Sequence, residues 1–186
     1  MKILITYYSL TGKTAQVAAA LREALASQGM ETTLAELNAI AAASLSDCDL
    51  VFLGSPCHDT DLAKPVKQFL DEIGFAPGFK LAGFVTHATR MPDEDALARE
   101  LYETWAGNCI RTLQRICQEK QIAFLGYFHC QGAPSPPIEA FIHNAILTDE
   151  AEWQTYVEEV RHHPDEADLG AAQRFALDVL DRCRRA

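Results

Sequence analysis

The sequence predicts an α/β protein built on a doubly wound, five-stranded parallel sheet with extra helices toward its C-terminal end. Three observations carry that expectation. The strand-like runs are apolar almost throughout rather than alternating, as in residues 49–54 (DLVFLG), which is the pattern of strands covered on both faces. Helical stretches with apolar residues three and four apart separate those runs. A chain of 186 residues, 48% of them hydrophobic, is long enough to bury roughly 70% of the surface its unfolded form exposes, so one domain over 1–186 suffices.

Residues 2–8 (KILITYY) read as the first strand, and 14–28 as a helix with Val17, Ala20, Leu21, Ala24 and Leu25 on its apolar face. Gly29 falls where a helix C-cap glycine belongs, and 31–37 resume a strand pattern. Residues 49–54 form the third strand, followed by Ser55-Pro56 and a helix over 65–73. The fourth is 80–86 (KLAGFVT), then a polar loop to Asp95 and a helix over about 96–120 that breaks near Gly107-Asn108. Residues 122–130 (IAFLGYFHC) form the fifth strand. GAPSPP (132–137) is irregular and opens helical patterns over 137–144 and 149–162. After the break at His163-Pro164, residues 165–182 close the chain, with Phe175, Leu177, Val179 and Leu180 apolar. Segment 133–163 is an insertion or extension before that last helix, longer than the fold requires. Cover for a site, contact with a partner and dimerisation are its three readings. Trp105 and Trp153 fall in helical stretches and read as packing residues.

Composition excludes several classes. The formal charge of −10 argues against nucleic acid, which needs a basic face to displace counterions. No apolar run approaches the roughly 18 residues of a bilayer span, so no membrane insertion is expected. The six cysteines (Cys48, Cys57, Cys109, Cys117, Cys130, Cys183) contain no C-x-x-C pair, and nothing at the N-terminus resembles a signal peptide. They read as reduced thiols of a cytoplasmic protein.

The stretch YYSLTGKT ends like a triphosphate-binding loop. That loop needs a glycine five positions before the Gly-Lys-Thr glycine, where this chain has Tyr7, and an acid at a later strand end, where it has Gly54-Ser55-Pro56. ATP is therefore a poor fit. What remains is Ser9, Leu10, Thr11, Gly12, Lys13 and Thr14, three hydroxyls around one glycine where the first strand meets the first helix. Free amides and the positive end of the helix dipole suit a terminal monophosphate there. The alternative is that Ser9 or Thr11 only caps the helix.

The pattern S/T-x-T-G-x-T directly after the first strand resembles the FMN-phosphate loop of flavodoxins. The resemblance continues in Gly54-Ser55-Pro56, in residues 63–70 (AKPVKQFL) opening the next helix, and in the Gly-Tyr-Phe-x-Cys-Gln-Gly stretch 126–132. It implies a flavodoxin-like sheet of order 2-1-3-4-5 with FMN held at the switch point between the first and third strands, of which flavodoxin is itself a standing example. By position it places the flavin ring between Pro56, Cys57, His58, Asp59 and Thr60 on one side and Thr86, His87, Ala88, Thr89 and Arg90 on the other. Neither loop carries the usual Trp or Tyr, so stacking falls to His58 and His87 and looser FMN binding is expected. His58, His87 or Arg90 would also bring positive charge beside a ring that becomes negative on reduction.

The resemblance implies an electron carrier between redox partner proteins, monomeric or weakly dimeric, with no catalytic residue of its own. An NAD(P)H-dependent quinone or flavin reductase on the same fold is the alternative. A metal held by Cys57, His58, His87, His129 and Cys130 is disfavoured, because His129 and Cys130 are successive strand residues and point to opposite faces.

Overall fold

The five apolar runs form one parallel sheet in the structure, a computed structural model that describes residues 1–185. In chain order the elements are β1 (Ile3–Tyr7), α1 (Lys13–Ser27), β2 (Thr32–Glu36), β3 (Leu50–His58), β4 (Asp61–Leu62), α2 (Lys64–Glu72), β5 (Lys80–His87), α3 (Ala96–Trp105), α4 (Asn108–Glu119), β6 (Ala123–Gln131), α5 (Pro136–Ala145), α6 (Glu150–Arg161) and α7 (Glu166–Arg185). The sheet order is β2-β1-β3-β5-β6, with the short β4 pairing only with β3. Among the long strands this is 2-1-3-4-5, so the order reverses between β1 and β3, and ligand-binding crevices open there.

Successive residues of each strand go to opposite cores. Ile3, Ile5, Leu50, Phe52, Ala82 and Phe84 pack with Val17 and Leu21 of α1 and Ala176, Val179 and Leu180 of α7. Leu4, Val51, Leu53, Leu81 and Val85 pack on the other side with Val66 and Leu70 of α2 and Leu113 and Ile116 of α4. The three central strands, β1, β3 and β5, are thus buried on both faces along most of their length, which is why they read as nearly unbroken apolar runs. Each fully buried Leu or Phe among them contributes about 1.5–3 kcal/mol. Gly54 is a product of this packing: a Cβ there would lie 2.3 Å from the Phe84 ring.

Two regions differ from the sequence expectation. β3 runs on past Gly54 through Pro56 and Cys57 to His58 and turns back as β4, pairing Cys57 with Leu62 and His58 with Asp61. The stretch 56–62 is therefore a hairpin, not an open loop. Its two turn residues, Asp59 (φ 50°) and Thr60 (φ 66°), are both left-handed, as the tightest hairpin turn demands. Asp59 suits this backbone, but Thr60 is β-branched and stands where such a turn usually has glycine, which weakens the sign in the sequence. The connection after β2 also folds into two short 3₁₀ turns, Leu37–Ala39 and Ala42–Asp47.

The expected break near Gly107 separates α3 from α4. Segment 133–163 builds α5 and α6 around a small core of its own, Ile142, Trp153 and Val157, which reaches Ala88 just beyond β5. Asp149 caps α6 by accepting from the amides of Ala151 and Glu152, each at 3.0 Å. Among the described residues no helix is long and apolar enough to cross a membrane.

Candidate functional site

The turn from β1 into α1 makes a cup. Gly12 stands at the helix N-cap with φ 82°, a conformation that costs glycine nothing and other residues strain. No side chain caps this helix. The amides of its first turn therefore point out of the helix with its dipole behind them. The Ser9 hydroxyl is buried and has no hydrogen-bond partner among the described residues. Buried hydroxyls are seldom left so, Thr6 and Tyr127 being the others among the described residues, and Ser9 lies three residues before the uncapped helix start. Capping thus accounts for neither Ser9 nor the helix start, and both are groups from which an anion would accept. Thr11 points aside, its hydroxyl donating to Ala133 O at 3.5 Å, and Lys13 reaches the end of α6 at Arg161 O, 3.4 Å away. Leu10 is exposed.

Thr14 and Thr86, expected at the two ends of a ligand, meet each other instead. Their buried hydroxyls are 2.9 Å apart and brace α1 against β5.

Beyond the strand ends lies a cavity of about 620 Å³. Its lower walls are Cys57, Asp59 and Thr60 of the hairpin and His87, Ala88, Thr89 and Arg90 after β5. Pro56, His58 and Thr86 are not among its walls. Leu101 and Trp105 of α3 form one side and Ile138, Phe141 and Tyr156 of α5 and α6 the roof, with the Trp105 and Phe141 rings edge to face at 6.0 Å. Trp105, read from sequence as a packing residue, is thus a wall of the cavity. The four-residue spacing of Leu97, Leu101 and Trp105 marked an apolar face but not what it faced.

The three groups expected to supply positive charge do not stand free. His87 is 3% exposed, and burial, with the neighbouring His129, pushes its pKa down to about 3. Its Nε2 lies 2.9 Å from His129 Nδ1, and its Nδ1 lies 2.8 Å from the Thr89 hydroxyl and 3.1 Å from the Thr89 carbonyl. His129 stacks on Tyr102 at 4.6 Å and on Tyr127 at 5.6 Å. Burial lowers the His129 pKa too, against the pull of Asp93, and pushes the Tyr102 phenol up to about 12. His58 lies edge-on to Tyr8 at 6.5 Å, and burial lowers its pKa while Asp59 opposes the shift. Arg90 is paired with Glu94 at 2.6 Å and Asp95 at 3.4 Å. The region is thus a set of neutral imidazoles and phenols under an apolar roof.

Cys57 donates to Trp105 O at 3.2 Å, tying the hairpin to α3. Cys130 is buried in the core shared with α1 and α7, on the face of β6 opposite the one where His129 meets His87, so the two share no metal. Among the described residues one His/Cys/Asp/Glu group is close enough to hold an ion, His163, Asp165 and Asp168. Its internal bonds, His163 to Asp168 at 2.6 Å and the reciprocal Asp165 and Asp168 amide bonds, account for it as the start of α7.

A flavodoxin-domain profile matches residues 4–177. The chain belongs to the flavodoxin domain family. No curated protein matches it. Oxidised flavodoxin 2 from Bacillus cereus superposes with a TM-score of 0.64 at 20% identity, over 98% of this chain and 99% of that one. A short-chain flavodoxin associated with a non-canonical PDU bacterial microcompartment gives a TM-score of 0.66 at 12% identity, over 98% and 99%. A WrbA-like flavodoxin protein from Agrobacterium tumefaciens gives 0.59 at 15% identity, over 99% and 98%. At these identities the likeness is one of fold. FMN is the cofactor that flavodoxin domains bind.

Proposed function

We propose that this flavodoxin-domain protein holds FMN with the phosphate in the cup of residues 9–14 and the ring in the cavity between the hairpin and the loop after β5. It then works as a cytoplasmic electron carrier between redox partner proteins, as a monomer or weak dimer. The observation that carries this reading is the buried, unpartnered Ser9 hydroxyl beside an uncapped helix start, one switch point away from a cavity large enough for a tricyclic ring. Bound there, FMN supplies one- and two-electron chemistry. Gly12, the first amides of α1 and Ser9 would take the phosphate. Cys57, Asp59, Thr60, Ala88, Thr89 and Arg90 would border the ring, and Trp105 supplies the large aromatic surface that the ring loops lack. The charge of −10 favours docking of basic partner patches.

The roof favours a second reading. Ile138 and Phe141 cover the cavity with apolar surface that a carrier does not need, and a flat apolar substrate of an NAD(P)H-dependent quinone or flavin reductase fits beneath it. An FMN titration of the purified protein followed by absorption tests the shared premise. NADPH oxidation with a soluble quinone then separates the two: turnover supports the reductase, and reduction only through a partner protein supports the carrier. A protein that takes up no FMN ends both.

A further inference from the structure

We propose that His129 and His87 form a proton relay running from the protein surface to Thr89 on the wall of the cavity. The relay rests on the FMN reading, because reduction of a group held in the cavity is what draws the proton inward. Its geometry is continuous. His129 Nδ1 and His87 Nε2 are 2.9 Å apart, and His87 Nδ1 is 2.8 Å from Thr89 Oγ1. The pair has an inner and an outer member: His87 is 3% exposed and lines the cavity with Thr89, whereas His129 is only partly buried. Tyr102 and Tyr127 stack on the outer ring at 4.6 and 5.6 Å, and the Asp93 carboxylate favours positive charge on it.

Two neutral tautomer patterns satisfy these same contacts. In the first, His87 Nδ1–H donates to the Thr89 carbonyl at 3.1 Å, His87 Nε2 accepts from His129 Nδ1–H, and His129 Nε2 is bare. In the second, the Thr89 hydroxyl donates to His87 Nδ1, His87 Nε2–H donates to His129 Nδ1, and His129 Nε2 carries the other proton. Passing from the first to the second moves one proton across. It enters at His129 Nε2, the Nδ1 proton of His129 crosses to His87 Nε2, and His87 Nδ1 gives its proton to Thr89 Oγ1 as the hydroxyl proton leaves into the cavity. The electrons arrive separately, from a reduced redox protein or a nicotinamide. His87 is buried and His129 stacks on two phenols, so neither ring turns over readily and the pair resets when a proton runs outward on reoxidation. No step places a lasting cation on the buried ring, whose desolvation forbids one.

Nitrogen-15 spectra of the histidines in the FMN-free protein test the geometry. His87 is expected to stay neutral from pH 7 to 5 and to share an N–H···N bond with a His129 that titrates below its ordinary value. A His129 that titrates alone near its ordinary value of about 6.5 overturns the relay, whether or not any variant folds. With FMN bound, His129→Phe is expected to slow proton uptake on reduction, read with a pH dye, at least about tenfold. Added imidazole should restore it, while FMN affinity stays within about twofold. Proton uptake at the wild-type rate in an FMN-loaded variant overturns the relay and leaves the FMN reading standing. A wild-type protein that binds no FMN overturns that reading and removes the relay's role.

Discussion

The cup and the cavity are built on opposite principles. The cup is made of backbone, one glycine and small hydroxyls, and its two large side chains turn away, Leu10 into solvent and Lys13 toward Arg161 O. The cavity is walled mostly by apolar side chains from five elements, and His87 and Arg90 on its wall are already bonded to neighbouring groups. A ligand gains at the cup by satisfying groups that nothing else satisfies, and at the cavity by leaving water. Orientation should thus come from the phosphate end and selectivity from the ring end.

The largest test removes one end of the ligand. Riboflavin, which lacks the phosphate, should bind at least about 100-fold more weakly than FMN, since hydrogen bonds to a charged group contribute about 1.5–3 kcal/mol each. Flavin fluorescence quenching measures both, and equal affinities would move the anchor to the ring.

Acid separates the two regions next, because only the cavity carries buried imidazoles. His87 is neutral in the fold and takes a proton in the unfolded chain near pH 6.5, so protonation favours unfolding. Its contribution is intact above about pH 6.5 and is lost as the pH falls, until the folded ring itself titrates near pH 3. Urea denaturation should show stability falling by about 1.4 kcal/mol per pH unit from this group between pH 6 and 4, and His87→Asn should flatten that limb.

The brace between the regions comes third. Thr14→Val or Thr86→Val alone leaves a buried hydroxyl unpaired and should cost about 1–3 kcal/mol, while the double variant should cost less than the two summed. Phe141→Ala should lower FMN affinity by about 1 kcal/mol, since the ring it removes is itself half exposed. Thr60→Gly relieves a left-handed β-branched residue and should raise the unfolding free energy by about 0.5–1 kcal/mol. No gain there would mean the hairpin holds Thr60 without strain.

The sheet was legible because burial on both faces writes itself into every strand residue, as in 49–54. The cup was legible because its chemistry is local: six consecutive residues contain all of it. The cavity was not, because its walls are brought together by packing. Nothing in the neighbourhood of Trp105 tells a cavity from a core, and nothing near His87 announces His129 across the sheet. The hairpin at Asp59-Thr60 was hidden for another reason, since its second turn residue is the β-branched Thr60 where glycine is usual.

The Tyr156 hydroxyl donates a hydrogen bond to the carbonyl of Ala88 at 2.8 Å, and the Ala133 amide donates to the His163 carbonyl at 3.3 Å. The roof is thereby latched to one ring loop in its middle and pinned where it begins and ends. A flavin seated beneath it would lie under a fastened roof, so its release should follow how often the latch lifts as well as the strength of its grip. Tyr156→Phe should therefore quicken release far more than it weakens equilibrium binding.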